Sequence, residues 1–371
     1  MNAKELEEIF NRYGFDKNLY IGCRAISVGH INTTGVLYFD YGNKVKRYLL
    51  QMINTNVFKN PQELMENIEG ISNYSINVLK CFGVSNYENK MITIIKTKDG
   101  CSYVKTSFNN YYRVYNFIEG GVSFDSTEDK RIFNNAGKII GFFQTLLANY
   151  PAHKLHDTIK NFHNTPARFV TFKDILNKSN KELKETCKDE INFYLDHSYI
   201  ADYIQPLLDN GEMPLRVTHN DTKMNNIMFD YETKEGLCLM DLDTVISGSV
   251  CYDFGDFVRT ACNKGKEDDQ NLKNVIFDKD LFIVFATGYI ESVKAFITKS
   301  ELDNLVNGAI LMTYECGMRF LTDYLDGSKY FKIEYPDHNL VRTRTQMSMV
   351  KQMLSCKREL EEEILRIYKK Q

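Results

Sequence analysis

The sequence predicts an α+β fold in two lobes, and three observations carry that expectation. The first third alternates strand-like and helix-like segments, a Gly120-Gly121 pair then breaks the pattern, and long stretches of helical apolar periodicity fill the rest of the chain. The lobes divide as residues 1–116, β-rich, and 121–371, α-rich, with 117–120 as a hinge. Such a division leaves a cleft at the junction, where ligand sites form preferentially.

Each element has its own signal. Residues 1–10 are charged and helix-periodic. Val36-Leu37-Tyr38-Phe39, a Gly42-Asn43 turn signal and Arg47-Tyr48-Leu49-Leu50-Gln51 read as a hairpin. Asn60 offers a helix N-cap, Pro61 fits the first helical position and Glu63 sits three residues after the cap, so a helix is expected over 61–79. Strands are expected at 91–96 and 102–106, joined through Lys98-Asp99-Gly100, and at 111–118, giving a small sheet with one packed helix. Helical periodicity then covers 129–149, 181–194, 280–298, 300–325 and 344–370. Two short strand-like segments, Ile227-Met228-Phe229 and Leu237-Cys238-Leu239-Met240, flank a polar turn containing Glu235-Gly236.

Composition excludes several function classes. The chain has 371 residues, with Lys+Arg 46 against Asp+Glu 49 for a net charge of −3, so no basic excess exists to neutralise a nucleic-acid backbone. No apolar run approaches the roughly 18–20 residues that span a bilayer, and neither a nucleic-acid nor a membrane partner is expected. The nine cysteines form no C-x-x-C pair and read as reduced core thiols. With no signal-peptide pattern at residues 1–10, a cytoplasmic location is expected. Monomer and homo-oligomer both remain open.

The chemistry concentrates in Val217-Thr218-His219-Asn220-Asp221-Thr222-Lys223-Met224-Asn225-Asn226, which runs into the first of those two strand-like segments, and in Leu239-Met240-Asp241-Leu242-Asp243. An Asp with an Asn five residues on, entering an apolar strand, has the spacing of a phosphotransferase catalytic loop. That chemistry needs one carboxylate at the acceptor hydroxyl, an amide oxygen on Mg²⁺, and a second carboxylate holding the metal between phosphates. Asp221, Asn226 and Asp241 fit those roles in order, and a hairpin closing between Phe229 and Leu237 would bring the last two together. His219 is read as bracing the loop. Lys223 is read as a contact to the transferred phosphate, a solvated lysine being its alternative. Asp253, in Tyr252-Asp253-Phe254-Gly255-Asp256, is read as an N-cap or loop brace despite its D-F-G letters. Ser27-Val28-Gly29-His30-Ile31-Asn32 lies between two strand candidates as a phosphate-covering loop would, and Tyr115, Phe117 and Ile118 fall at the lobe junction, where backbone groups suit an adenine.

Together these pieces resemble the aminoglycoside phosphotransferase and choline kinase superfamily, whose two-lobed fold is similar to that of protein kinases. Several stretches look more closely like the bacterial N-acetylhexosamine 1-kinases: Gly29-His30-Ile31-Asn32, Leu49-Leu50-Gln51 with Asn54-Thr55-Asn56-Val57-Phe58, Leu64-Met65-Glu66-Asn67, Arg113-Val114-Tyr115 with Phe117-Ile118-Glu119, Asn161-Phe162-His163-Asn164-Thr165-Pro166, and 314–325 around Glu315-Cys316-Gly317-Met318-Arg319-Phe320. The resemblance implies ATP- and Mg²⁺-dependent phosphorylation of the anomeric hydroxyl of N-acetylglucosamine or N-acetylgalactosamine, with Asp221 as base. It implies Arg319 and Tyr330 at the N-acetyl group, with His163 and Asn164 in the sugar-binding set. An Arg319–Glu315 pair and a core position for Tyr330 are the bland alternatives. One departure stands out: the strand position that usually carries a phosphate-contacting Lys or Arg is read here as Gln51, so another cation must serve. Other acceptors (aminoglycoside, choline, homoserine) and a non-catalytic binding module are the rival expectations.

Overall fold

The computed structural model describes residues 2–26 and 31–371. Helix α1 (Ala3–Tyr13) leads into strands β1 (Tyr20–Ile26), β2 (Thr33–Asp40) and β3 (Val45–Ile53), and then come α2 (Pro61–Cys81), β4 (Val104–Lys105) and β5 (Tyr111–Asn116). The five strands form one antiparallel sheet in the order β1-β2-β3-β5-β4. Its two faces bury different things. One face packs Leu37, Phe39, Tyr48, Leu50, Tyr112 and Val114 against Ile9, Phe10 and Tyr13 of α1, which is capped by the Asn2 side chain and closed by Gly14 at φ 75°. On the other face lies α2, started by Asn60 and Pro61 as expected. Its buried residues Leu64, Met65, Ile68 and Ile71 belong to the same continuous core as the helices of the second lobe.

A short β6 (Gly121–Val122) opens that second lobe. It continues through α3 (Lys130–Leu146), α4 (Thr165–Lys178), α5 (Lys181–Thr186), α6 (Lys188–Asp196), α7 (Gln205–Asp209), β7 (Arg216–Thr218), β8 (Ile227–Asp230), β9 (Gly236–Leu239) and β10 (Ile246–Gly248). The chain ends with α8 (Val250–Ala261), α9 (Lys279–Val293), α10 (Lys299–Asp303), α11 (Leu305–Leu325), α12 (His338–Ser355) and α13 (Lys357–Lys370). Helix α11 is apolar on nearly every side because α8, α12 and α4 surround it. Helices α3 and α9 approach so closely that a Cβ on Gly137 would lie 2.3 Å from the Phe285 carbonyl oxygen. The small sheets β6-β8-β9 and β10-β7 sit between the helices and the cleft.

Several expectations change. Residues 91–96 are extended but touch the sheet only through an Ile94–Tyr115 bridge and backbone bonds such as Ile95 N–H to Val114 O at 2.8 Å, because the adjoining strand β5 is shared with β4. The helices expected at 181–194, 300–325 and 344–370 each break once, at Cys187, Asn304 and Cys356, and the last begins earlier, at His338. All nine cysteines are free thiols, but Cys23, Cys81 and Cys101 are exposed, which corrects the core reading for those three. Among the described residues no helix is long and apolar enough to cross a membrane.

Candidate active site

The catalytic-loop segment hangs between β7 and β8, and buried carboxylates from α8 hold it. Asp253, fully buried, accepts the backbone N–H of His219 at 3.0 Å and of Asn220 at 2.7 Å, while Asp256 accepts that of Thr222 at 2.9 Å. Gln144 of α3 donates to Asp253 at 2.9 Å and is itself held by Tyr289. Asp253 is therefore the loop brace, and the cap of α8 is Ser249. These bonds fix Asn220 at φ 64°, a left-handed conformation disfavoured for a side-chain-bearing residue and retained where surroundings over-determine it. His219 donates from Nε2 to the Met240 carbonyl at 2.7 Å, and its Nδ1 faces the Asp221 N–H at 3.3 Å, so it braces the loop as read.

Asp221 is half-buried at the cleft. Its Oδ2 accepts from Asn226 Nδ2 at 2.8 Å and pairs with Lys223 Nζ at 3.0 Å. Burial alone would lower the Lys223 ammonium; Asp221 outweighs it and holds the group charged. The β8–β9 hairpin pairs Ile227 with Leu239 and ties Asn226 O to Met240 N–H at 2.8 Å, which brings Asn226 beside the residue that precedes Asp241. Asp241 opens to the cleft at φ 56°. The protein mass around it, then the charges of Asp243 and Asp221, push its carboxyl up to about 6, against the pull of Arg113 and His219.

That excess of negative charge, with the Asn226 Oδ1 lacking a protein donor among the described residues, fits a hard divalent cation with oxygen ligands. Among those residues no three His, Cys, Asp or Glu side chains gather in metal-binding geometry. Asp241 and the Asn226 oxygen would therefore supply the protein's share and phosphate oxygens or water the rest, as is usual for Mg²⁺.

Asp243, two residues on, turns inward. Its Oδ1 lies 2.6 Å from Nη1 of Arg113 and its Oδ2 accepts from Asn32 Nδ2 at 2.5 Å. The same Arg113 gives Nε and Nη2 to Oε1 of Gln51 at 3.1 and 2.9 Å. Asn32 is half-buried, its amide nitrogen on Asp243 and its oxygen accepting from Asn54 N–H at 3.0 Å. Gly29 and His30 lie outside the described residues. Tyr115 is buried in the core with its ring 5.2 Å from the Arg113 guanidinium, so only its backbone lies along the cleft wall. Phe117 and Ile118 leave strand pairing at the lobe junction, Phe117 under the Arg47 guanidinium.

A second cavity, of about 150 Å³, opens between α4, α11 and the turn after α11. Arg319 lines it within 5.5–5.8 Å of the Phe162, Tyr330 and Phe331 rings, and Arg168 lies beside it. Tyr330 is 69% exposed, which removes the core alternative. Glu315 takes His163 Nδ1 at 2.9 Å and Thr165 Oγ1 at 2.6 Å, which removes the Arg319–Glu315 pair. His163 is accordingly buried, its ring tilted against those of Phe162 and Tyr252 at 4.4 and 5.3 Å, and the Asn164 side chain caps α4 by accepting from Ala167 N–H at 3.0 Å. The two placements have separate causes: a helix N-terminus needs a cap, and a buried glutamate needs a partner. Asp323 was missed by sequence reasoning. It accepts the N–H groups of Lys329, Tyr330 and Phe331 at 2.8–3.0 Å and so shapes the aromatic turn. Gln144, Asp256 and Arg113 were missed too, since long-range partners leave no local spacing to read.

Residues 106–275, which hold the catalytic loop, match the family model described as the phosphotransferase enzyme family, APH. An aminoglycoside phosphotransferase from Alicyclobacillus acidocaldarius superposes with a TM-score of 0.62 at 12% identity, covering 96% of each chain. The fold is aminoglycoside phosphotransferase-like. An ethanolamine kinase from Plasmodium vivax gives 0.58 at 14% identity, over 95% of this chain and 92% of its own. Spectinomycin phosphotransferase in complex with ADP and spectinomycin gives 0.55 at 13%, over 95% and 99%. The structural likeness extends over 95–96% of this chain, whereas the family match is confined to residues 106–275.

Proposed function

We propose that the protein is an ATP- and Mg²⁺-dependent small-molecule kinase whose acceptor is the anomeric hydroxyl of an N-acetylhexosamine, giving the sugar 1-phosphate. The observation that carries the kinase reading is the disposition of Asp221: both protein contacts fall on Oδ2, leaving Oδ1 for a hydroxyl. Oδ1 takes the proton as the acceptor oxygen bonds to the γ-phosphorus and the bridging P–O bond to ADP breaks. Lys223 and Asn226 orient that carboxylate. Mg²⁺, when bound, neutralises phosphate charge from the side of Asn226 and Asp241. The peptide groups of Phe117 and Ile118 offer the adenine a backbone edge.

The acceptor reading rests on the second cavity. Two neighbouring guanidiniums, Arg168 and Arg319, with burial first and Arg319 next holding Arg168 below its usual range, disfavour a cationic acceptor such as choline or an aminoglycoside. Of the two lining carboxylates, Asp326 is paired with Lys329 and Asp323 is turned toward the backbone N–H groups of Lys329, Tyr330 and Phe331. Arg319 and the Tyr330 phenol both donate, which suits the carbonyl oxygen of an acetamido group, with the aromatic rings against its methyl.

The test is ADP release from MgATP over N-acetylglucosamine, N-acetylgalactosamine, glucose, galactose, kanamycin and choline, with the phosphate located on the product. Turnover on the two N-acetylhexosamines with a 1-phosphate product is expected. Turnover on kanamycin or choline alone would overturn the acceptor reading and keep the kinase.

A further inference from the structure

We propose that Arg113 is a positioning residue of the nucleotide site, standing on β5 beside the β3 position that carries a lysine in kinases, and that it acts by fixing the metal-holding loop through Asp243. The inference rests on the kinase reading above. In kinases the β3 lysine is set by a glutamate from the next helix. Here β3 presents Gln51, a neutral amide, and α2 presents no carboxylate to it: Glu66 bonds Gln62 and His156, Glu69 pairs with Lys96, and the α2 group touching the guanidinium is the Met65 sulfur. The charge has moved one strand over. Gln51 and Arg113 are register partners in the β3–β5 ladder, and the Gln51 carbonyl oxygen accepts two N–H groups of Arg113, which aims the third arm at Asp243.

The counter-ion has moved as well, from the helix to the loop that carries Asp241. Both ends of the Arg113–Asp243 pair are almost wholly buried, their side chains 1% and 3% exposed, so removing one leaves an uncompensated charge in the interior. Asp243 is also held by Asn32, just before β2, and so joins three parts: the start of β2, the sheet, and the turn in which Asp241 is bent to a positive φ. A residue that orients a metal ligand from behind typically alters metal affinity or activity about 10–100-fold when lost.

The test is calorimetric and needs no acceptor: the full-length protein is titrated with AMP-PNP, a non-hydrolysable ATP analogue, in MgCl₂ and again in EDTA. Wild type is expected to bind more tightly with Mg²⁺. Arg113→Gln is expected to lose about 10–100-fold of Mg²⁺-dependent affinity while its metal-free affinity stays close to that of wild type, and Arg113→Lys, which keeps the charge facing Asp243, is expected to restore most of it. An intact Mg²⁺ increment in Arg113→Gln overturns the proposal, as does an equal loss of metal-free affinity, or a folded Arg113→Lys no better than Arg113→Gln. If Arg113→Gln does not fold, Asp243→Asn carries the test, with the same loss expected and an intact increment overturning it. A wild-type protein that binds the nucleotide in neither buffer overturns the kinase reading itself, and this inference with it.

Discussion

Asp221, Asp241 and Asp253 lie within one small region, yet their surroundings give them three different tasks. Asp253 is saturated by backbone N–H groups and can only hold the loop. Asp221 has one oxygen occupied and one available. Asp221→Asn should keep the fold and MgATP binding but lose about 10²–10⁴-fold in kcat, the usual worth of a positioned base; a steady-state assay beside a nucleotide titration checks both. Asp241 titrates at about 6, above the ordinary carboxylate range. It is protonated below that value, so Mg²⁺-dependent nucleotide affinity should weaken as the pH falls from 7 to 5, which binding isotherms at fixed Mg²⁺ would show. Glu315 shifts the other way. Burial would raise it, but His163, Arg319 and Thr165 together hold it below its usual value. Its native carboxylate thus adds stability that is fully present above the free-chain value near 4.3 and is lost as the pH falls through the lower native one. His163→Gln should narrow that acid tolerance, seen as a higher midpoint in acid unfolding.

At the scale of elements, what was legible in the sequence was what local signals encode. The cap-and-proline start of α2 and the β8–β9 hairpin are set by residues within a few positions of one another, and they form where the spacing put them. The loop running from Thr218 into the strand at Ile227 was legible for the same reason. What failed were features decided at a distance. Residues 91–96 have strand composition but meet only the side of β5, and the long helices break at Cys187, Asn304 and Cys356, where chain direction must change to cover the core. The glycine contacts of α3 with α9 were likewise invisible until two helices were side by side. Gly137→Ala would place a methyl against the Phe285 carbonyl and the Tyr289 nitrogen. The expected cost is about 1–3 kcal/mol after the helices shift, partly offset by alanine's better helix propensity. Thermal unfolding measures it, and the KM for MgATP should be unaffected in the folded fraction.

Across the whole molecule, the core does not respect the boundary expected at residues 117–120. Helix α2 lies in the first segment by sequence and in the second by packing, because its apolar face meets the helices as well as the sheet. Asn67 shows the consequence for binding energy. Its amide donates to the His156 and Val245 carbonyls and its oxygen accepts the His156 N–H, stitching α2 to the turn at His156 and to Val245 just before β10. Asn67→Leu should strand those buried groups, at about 1–3 kcal/mol each, and lower the unfolding midpoint in urea as one cooperative transition for both lobes, since no part of α2 can leave alone.

The anchoring of α2 also bears on control. Kinases that are switched on and off commonly do so by swinging the corresponding helix in and out, which requires a helix loosely attached to its surroundings. Here Leu64, Met65, Ile68 and Ile71 are each no more than 1% exposed, and displacing them would return about 1.5–3 kcal/mol of apolar burial apiece to water. Such a helix is part of the chassis and not a lever. On the proposed kinase reading, control by swinging α2 is not expected.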